Sequence, residues 1–292
     1  MKLHRSEQIM NGFAVAFCLV FALFCLFPFL LMISGSLTDE TILINEGYSL
    51  WPKGFNLDAY EILLKSGKLL DSYGITIFIT TAGTLLGLVI SSSLAYSISN
   101  RRNRLRNVIS FYVYFTMLFN GGMVPFYILI ANWLHLSNTI AALILPLAVQ
   151  PFLVFLLVSF FRTVPDELED AGRIDGASEL RIFAQIIIPI SKPILATVGL
   201  FFALIYWNDW FMSILFISDD SKYPLQMILR RMVSNIEAAK NLVPSGAGIA
   251  LQAPTYQIRM ATTLVTIGPI ILLYPFLQRY FVKGLTIGSV KG

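Results

Sequence analysis

The stretch of sequence richest in ionisable chemistry is "VPDELEDAGRIDGASELRIFAQIIIP", Val164 to Pro189. Six of the chain's seventeen acidic residues fall between Asp166 and Glu179. Pro165 followed by Asp166, Glu167 and Glu169 suits a first helical turn, where the macrodipole favours negative charge. Leu168, Ala171 and Ile174 then form a narrow apolar edge. Gly176 interrupts that helix, and Leu180, Phe183, Ala184 and Ile187 repeat at helical spacing until Pro189 and Pro193 oppose continuation. The segment therefore predicts two short helices joined at a glycine. Amphipathic helices that rest on a membrane usually carry Lys and Arg on the polar face, because the cytoplasmic leaflet is negative. This one carries acids, which suits a protein partner better than headgroups.

Two other clusters place polar groups within apolar surroundings. In "YWNDW", Trp207 and Trp210 flank Asn208 and Asp209. Aromatic faces with a hydrogen-bonding side chain between them fit a sugar ring; the alternative is an interfacial aromatic belt with Asp209 paired inside the protein. In "FNGGMVP", Asn120, Gly121 and Gly122 followed by Pro125 weaken a helix. Irregular backbone at membrane depth is tolerated only where protein or a water-filled cavity receives it. A gate in a translocation path and a packing kink both fit. Gly83 and Gly87 in "GTLLG" instead predict a close helix contact.

The elements that position these residues are set by composition. At 56% hydrophobic and 13% charged residues, with a mean hydropathy of +0.72, the chain lies far from the roughly 25% charged residues of a soluble domain. It reads as an all-α integral membrane protein. A crossing needs about 20 mainly apolar residues, and six stretches qualify: 10–34, 72–97, 108–131, 139–161, 193–217 and 256–282. Placing both termini in the cytoplasm puts thirteen Lys and Arg on that side and seven outside, as the positive-inside rule favours. The expected organisation is a cytoplasmic amino terminus, 1–9; a retained first helix, 10–34; and an outer loop, 35–71. A five-helix region, 72–282, follows, with the acidic loop at 162–191 and a second outer loop at 218–255, then a cytoplasmic tail, 283–292. In that second outer loop Leu225, Ile228, Leu229, Met232 and Ile236 recur at helical spacing. They predict a short amphipathic helix that either caps the bundle or docks a partner.

No G-x-x-x-x-G-K-[ST], H-E-x-x-H or G-x-S-x-G stretch occurs in the sequence, so neither a phosphate-cradling loop nor a familiar hydrolytic constellation is expected. Cys18 and Cys25 share one apolar run, and His4 and His135 fall on opposite sides of the membrane. No catalytic residue and no metal site are therefore expected, and the charge of +4 is explained by cytoplasmic loops without nucleic acid.

The order Asp170, Ala171, Gly172, Gly176, Ile186 and Pro189 resembles the EAA motif, EAA-x3-G-x9-I-x-L-P, of the membrane subunits of binding-protein-dependent ABC importers. Asp170 stands where that motif has glutamate, and Gly172 stands where it has its second alanine. "GRIDGAS" and "WNDW" resemble the carbohydrate branch, the maltose-type second permease. The resemblance implies a type I importer permease fold in the cell membrane and a loop that acts as a coupling helix. Glu169, Asp170, Ala171, Gly172, Asp175, Gly176 and Pro189 would meet a cytoplasmic ATPase. It also implies a second related permease, two ATPases that bind ATP and Mg, an extracytoplasmic solute-binding protein, and a carbohydrate substrate. Asn120, Gly121, Gly122, Trp207, Asn208, Asp209 and Trp210 would be the residues to test as substrate path. A permease of the same build for an amino acid or phosphate, and a secondary transporter working without ATP, are the rival readings.

Overall fold

The computed structural model describes residues 5–65, 67–242 and 256–267, and among them the regular structure is helical. The order is α1 (Arg5–Ser36), α2 (Glu40–Glu46), α3 (Asp58–Lys65), α4 (Lys68–Ser99), α5 (Arg106–Leu118) and α6 (Met123–Ile128), which runs into a π turn. Then come α7 (Ala141–Ile144), α8 (Pro151–Phe161), α9 (Asp166–Ile174), α10 (Glu179–Ile182), α11 (Ile188–Ile190), α12 (Lys192–Asn208), α13 (Phe211–Phe216) and α14 (Leu225–Leu242). A last helix, α15, covers 256–267. Two compact units emerge: the described residues of Met1–Leu69 with Leu229–Gly268, and those of Leu70–Ile228.

In the first unit, α1 is apolar along its length and its side chains from Met10 through Leu30 are exposed. A helix apolar all round and unburied by its own chain is built for lipid or for another membrane helix. The loop after it is held by an isolated bridge between Thr38 and Phe55 and by Asp39, which accepts the Thr41 N–H at 2.9 Å and so caps α2. The Glu40 carboxylate accepts the backbone N–H groups of Tyr256 and Gln257 at 2.9 Å each, where α15 begins. A carboxylate there meets donors that have no partner within the helix. Gln257 Nε2 donates to the carbonyls of Ser36 and Asn56.

In the second unit, α4 packs on α12 through the two glycines that the sequence marks for close contact. A Cβ at Gly87 would come within 2.7 Å of the Phe202 ring, and one at Gly83 would overlap the ring of Tyr206. Tyr206 and Phe202 are buried there, and Tyr206 donates its hydroxyl to the Ile144 carbonyl at 2.8 Å. Between α5 and α8, Tyr114 meets Phe155 edge to face, while Leu153, Val154, Leu157 and Val158 bury the inner side of α8.

The apolar stretches of this unit are not uniform rods. Those predicted at 108–131 and 139–161 are broken helix pairs, bent by 117° and 48°. The stretch at 193–217 divides where Asp209 takes an extended backbone. Its amino-terminal end turns sharply too: Glu179–Ile190 meets α12 at 85°, with Ser191 at the bend. Two helices, Met10–Ser36 and Lys68–Ser99, are long and apolar enough to cross a membrane unbroken, and counting each bent pair as one span gives up to five. Of the expected sixth stretch, 256–282, the residues past 267 lie outside the described ones.

Candidate functional site: a jointed acidic loop and a cavity at helix breaks

The acidic loop forms the two helices expected of it. Pro165 precedes α9 with ψ of 132°, and Asp166, Glu167 and Glu169 occupy the first turn. At the other end Gly176 adopts φ of +79°. Its N–H bonds the Arg173 carbonyl at 3.0 Å, and the Ala177 N–H bonds the Gly172 carbonyl at 2.9 Å. This is a Schellman ending, which requires the left-handed conformation that glycine adopts without steric penalty. Two residues on, the Ser178 side chain accepts the Arg181 N–H and caps α10. The sequence "DGAS" is thus a stop signal and a start signal in four residues. Pro189 does not end the second helix. A π turn at Phe183–Ile187 precedes it, the helix carries on to Ile190, and the turn is made at Ser191.

The charges of the loop turn toward one another and toward α4. Arg173 is the hub, with a side chain only 17% exposed. It donates to Glu169 at 2.8 Å, to Asp170 at 2.9 Å and, through Nε, to Glu179 at 2.7 Å. Asp170 also receives Arg102 at 2.8 Å, and Asp166 faces Arg101 at 3.5 Å. Tyr96, near the end of α4, donates its hydroxyl to Glu179 at 2.8 Å and stacks at a tilt on Phe183. These ion pairs hold the Glu179 carboxyl below its ordinary range, chiefly through the Arg173 hydrogen bond, and raise the Arg173 guanidinium above its own. A cleft of about 460 Å³ opens between the α4–α5 turn and α9, lined by Arg101, Arg102, Arg106, Arg162 and the acids they face.

The residues expected to face an ATPase therefore divide. Glu169 and Asp170 are engaged within the chain. Gly172 is buried where a Cβ would stand 3.0 Å from Ile186 and 3.2 Å from Ile182, so it lets α9 lie close on the second helix. Ala171 and Asp175 are exposed, and Asp175 makes no ion pair among the described residues. The outward surface is more apolar than its sequence suggested: Ile174 is 86% exposed and Leu180 75% exposed, with Leu168 beside them in sequence order. Arg173, Glu179 and Tyr96 were not singled out from sequence. The spacing of Arg173 four residues after Glu169 and three after Asp170 was the available signal.

The second group also rearranges. Asn120 Oδ1 accepts the Gly122 N–H at 2.8 Å, a local turn that separates α5 from α6. Asn120, Gly121 and Gly122 line a cavity of about 650 Å³ together with Pro125, Pro146, Phe211 and Met212. One cavity is thus lined by the break of the third apolar stretch and by residues close to the breaks of the fourth and fifth. Trp207 is buried, Trp210 packs edge to face on Phe211, and Asp209 accepts the Met212 N–H at 3.2 Å at the start of α13. Asn208 is exposed and donates to the Leu204 carbonyl.

Comparison with known proteins agrees with this architecture. Residues 82–287 match the family described as binding-protein-dependent transport system inner membrane component. Protein LplC of Bacillus subtilis is 40% identical over 272 residues, covering 91% of this chain and 89% of its own. The polygalacturonan/rhamnogalacturonan transport system permease protein YtcP of the same organism is 37% identical, covering 98% and 100%. A solved chain from a bacterial ABC transporter involved in the import of the acidic polysaccharide alginate superposes with a TM-score of 0.82 at 29% identity, covering 96% of this chain and 99% of that one. With the jointed loop, the broken spans and these matches in agreement, the chain belongs to the binding-protein-dependent transport system inner membrane component family.

Proposed function

We propose that this permease subunit carries a carbohydrate, an oligosaccharide or larger glycan, across the cell membrane, and that loop 162–191 receives the force of ATP hydrolysis. The observation that carries the coupling role is the joint itself. Leu168, Ile174 and Leu180 are exposed on the loop, while an internal network of ion pairs fixes it as a body. Apolar side chains that exposed on a cytoplasmic loop fit a protein groove. Asp175 and Glu167 remain for cationic groups on the partner.

The assembly we infer contains this chain, a second related permease, two ATPases that hold ATP and Mg, and an extracytoplasmic binding protein that delivers the solute. Six spans with both termini in the cytoplasm are supported by the distribution of Lys and Arg along the sequence. Alternating access would follow from two conformations whose populations the ATPases bias. The cavity at Asn120–Gly122 is the place for a solute or for a gate. A carbohydrate is supported by the solutes for which the relatives are named, polygalacturonan and rhamnogalacturonan for one and alginate for the solved importer.

Two measurements test this reading. Proteoliposomes containing the assembled importer should take up solute with ATP and stop when this chain is omitted; unchanged uptake without it overturns the proposal. The cognate binding protein, screened by thermal shift, should respond to glycans. A response confined to amino acids or phosphate would instead support the rival solute classes.

A further inference from the structure

The joint between α9 and the second helix offers one obvious mechanical route, through Glu179–Ile190 into α12. The structure contains another. Loop residues from both sides of Gly176 also reach α4 and the turn that follows it. Asp166 and Asp170 on α9 face Arg101 and Arg102, and Glu179, beyond the joint, accepts the Tyr96 hydroxyl at 2.8 Å and the Asn100 amide at 3.3 Å. The two sets meet at Arg173, whose guanidinium touches Asp170 and Glu179 at once.

We propose that Arg102 and Tyr96 are positioning residues for energy coupling, tying the jointed loop to the end of α4 so that α4 and α12 are driven together. This rests on the coupling role proposed above. The physical grounds are threefold. First, Tyr96 and Glu179 are 83 residues apart in sequence, and Arg102 and Asp170 are 68 apart; neither contact is a by-product of local helix geometry. Second, the network spans the Gly176 joint. A displacement of α9 therefore reaches Glu179 through Arg173 as well as through the backbone. Third, α4 and α12 are already in close contact where Gly83 and Gly87 admit Tyr206 and Phe202. Two elements so interlocked move by discrete repacking and not by sliding independently. The outer pair is also suited to being broken and remade. Arg102 and Asp170 are well exposed, at 62% and 46% of their side-chain areas, and such pairs are weak individually, so the tether can follow a conformational cycle without locking it.

The test uses the whole importer in proteoliposomes, with ATP hydrolysis and solute uptake measured in the same preparation. Arg102→Gln and Tyr96→Phe should assemble normally and keep ATP hydrolysis within about twofold. They should lower the solute moved per ATP several-fold and weaken the stimulation of hydrolysis by loaded binding protein. Arg102→Lys, which keeps the cation, should recover much of the ratio. A purely structural role predicts lower amounts of assembled importer with an unchanged ratio, and that result overturns the proposal. So does an Arg102→Lys variant no better than Arg102→Gln, which would show that the cation facing Asp170 is not what the coupling uses. Failure of the coupling reading itself is distinguishable, because polar substitutions at the exposed Ile174 and Leu180 would then leave both uptake and hydrolysis unchanged.

Discussion

Arg173 and Glu179 face each other across the Gly176 joint, Nε to Oε1 at 2.7 Å, and this contact fixes the angle between two helices that share no hydrogen-bonded turn. Because the Arg173 side chain is only 17% exposed and Glu169 only 16%, removing the cation leaves Glu169 without its ion-pair partner in a partly desolvated site, beside the half-exposed carboxylates of Asp170 and Glu179. Breaking such a group by deleting one partner costs more than an exposed pair is worth. Arg173→Met is expected to lower the stability of the detergent-solubilised importer by about 2 kcal/mol, read as a lower melting temperature, and to uncouple hydrolysis from uptake. Unaltered melting would show that the acids tolerate one another without it.

The same contact makes a pH signature. Glu179 is held below its usual value of 4.5, first by the Arg173 hydrogen bond and then by the Tyr96 hydroxyl. A carboxyl with a depressed pKa in the folded state contributes stability that is present above its unfolded value. That contribution is lost as pH falls through the folded one. The difference in melting temperature between the unaltered chain and Glu179→Gln should therefore be constant from pH 8 to about pH 5 and close toward zero below about pH 4. A difference that grew on acidification would reverse the assignment.

How far this site was legible in the sequence depends on which level carried the signal. Local chemistry was legible: Pro165, the acids after it and Gly176 announced two helices and a joint, because caps and left-handed glycines are determined by a few neighbouring residues. The breaks at Asn120–Gly122 were legible for the same reason. The direction in which the charges point was not. Asp170 read as an offer to a partner, and only the fold shows that Arg102, 68 residues away, already meets it. In the aromatic cluster, the burial of Trp207 and the place of Asp209 at the start of α13 are likewise products of the fold and not of local spacing. The cavity combines Asn120, Pro146 and Phe211, which no spacing rule connects.

Gly172 is a place where composition and packing disagree. In an exposed helix, alanine would be preferred to glycine by about 1 kcal/mol. Here an added Cβ would lie 3.0 Å from Ile186 Cδ1, the movable end of its side chain, and 3.2 Å from Ile182 Cγ1, one bond in from the end of a buried one. Gly172→Ala is expected to be nearly neutral in melting temperature, the helix gain offsetting a small shift of the two isoleucines. Gly172→Val adds a second branch with nowhere to go, and overpacking of this kind costs about 1 to 3 kcal/mol. It should separate α9 from the second helix and reduce uptake more than it reduces assembly. A Val variant that transported normally would show that this contact opens during the cycle.

Gly83 admits no such latitude. The atoms that an added Cβ would meet are those of the Tyr206 ring, a rigid group buried between α4 and α12. Relief requires the ring to move, and moving it gives up the part-buried hydrogen bond to the Ile144 carbonyl. Overpacking and the lost bond act together, so Gly83→Ala should cost about 2 to 4 kcal/mol and lower the yield of assembled importer several-fold. Gly74→Ala, on the same helix with nothing within 4 Å of the new methyl, supplies the comparison and should be neutral or slightly stabilising. If both alanines behaved alike in size-exclusion yield and melting temperature, the intimate contact of α4 with α12 would not be the element that holds this unit together. A double variant, Gly83→Ala with Tyr206→Phe, separates the two costs. It removes the hydroxyl while keeping the ring, so a melting temperature equal to that of Gly83→Ala alone would mean that the displaced tyrosine had already lost its bond.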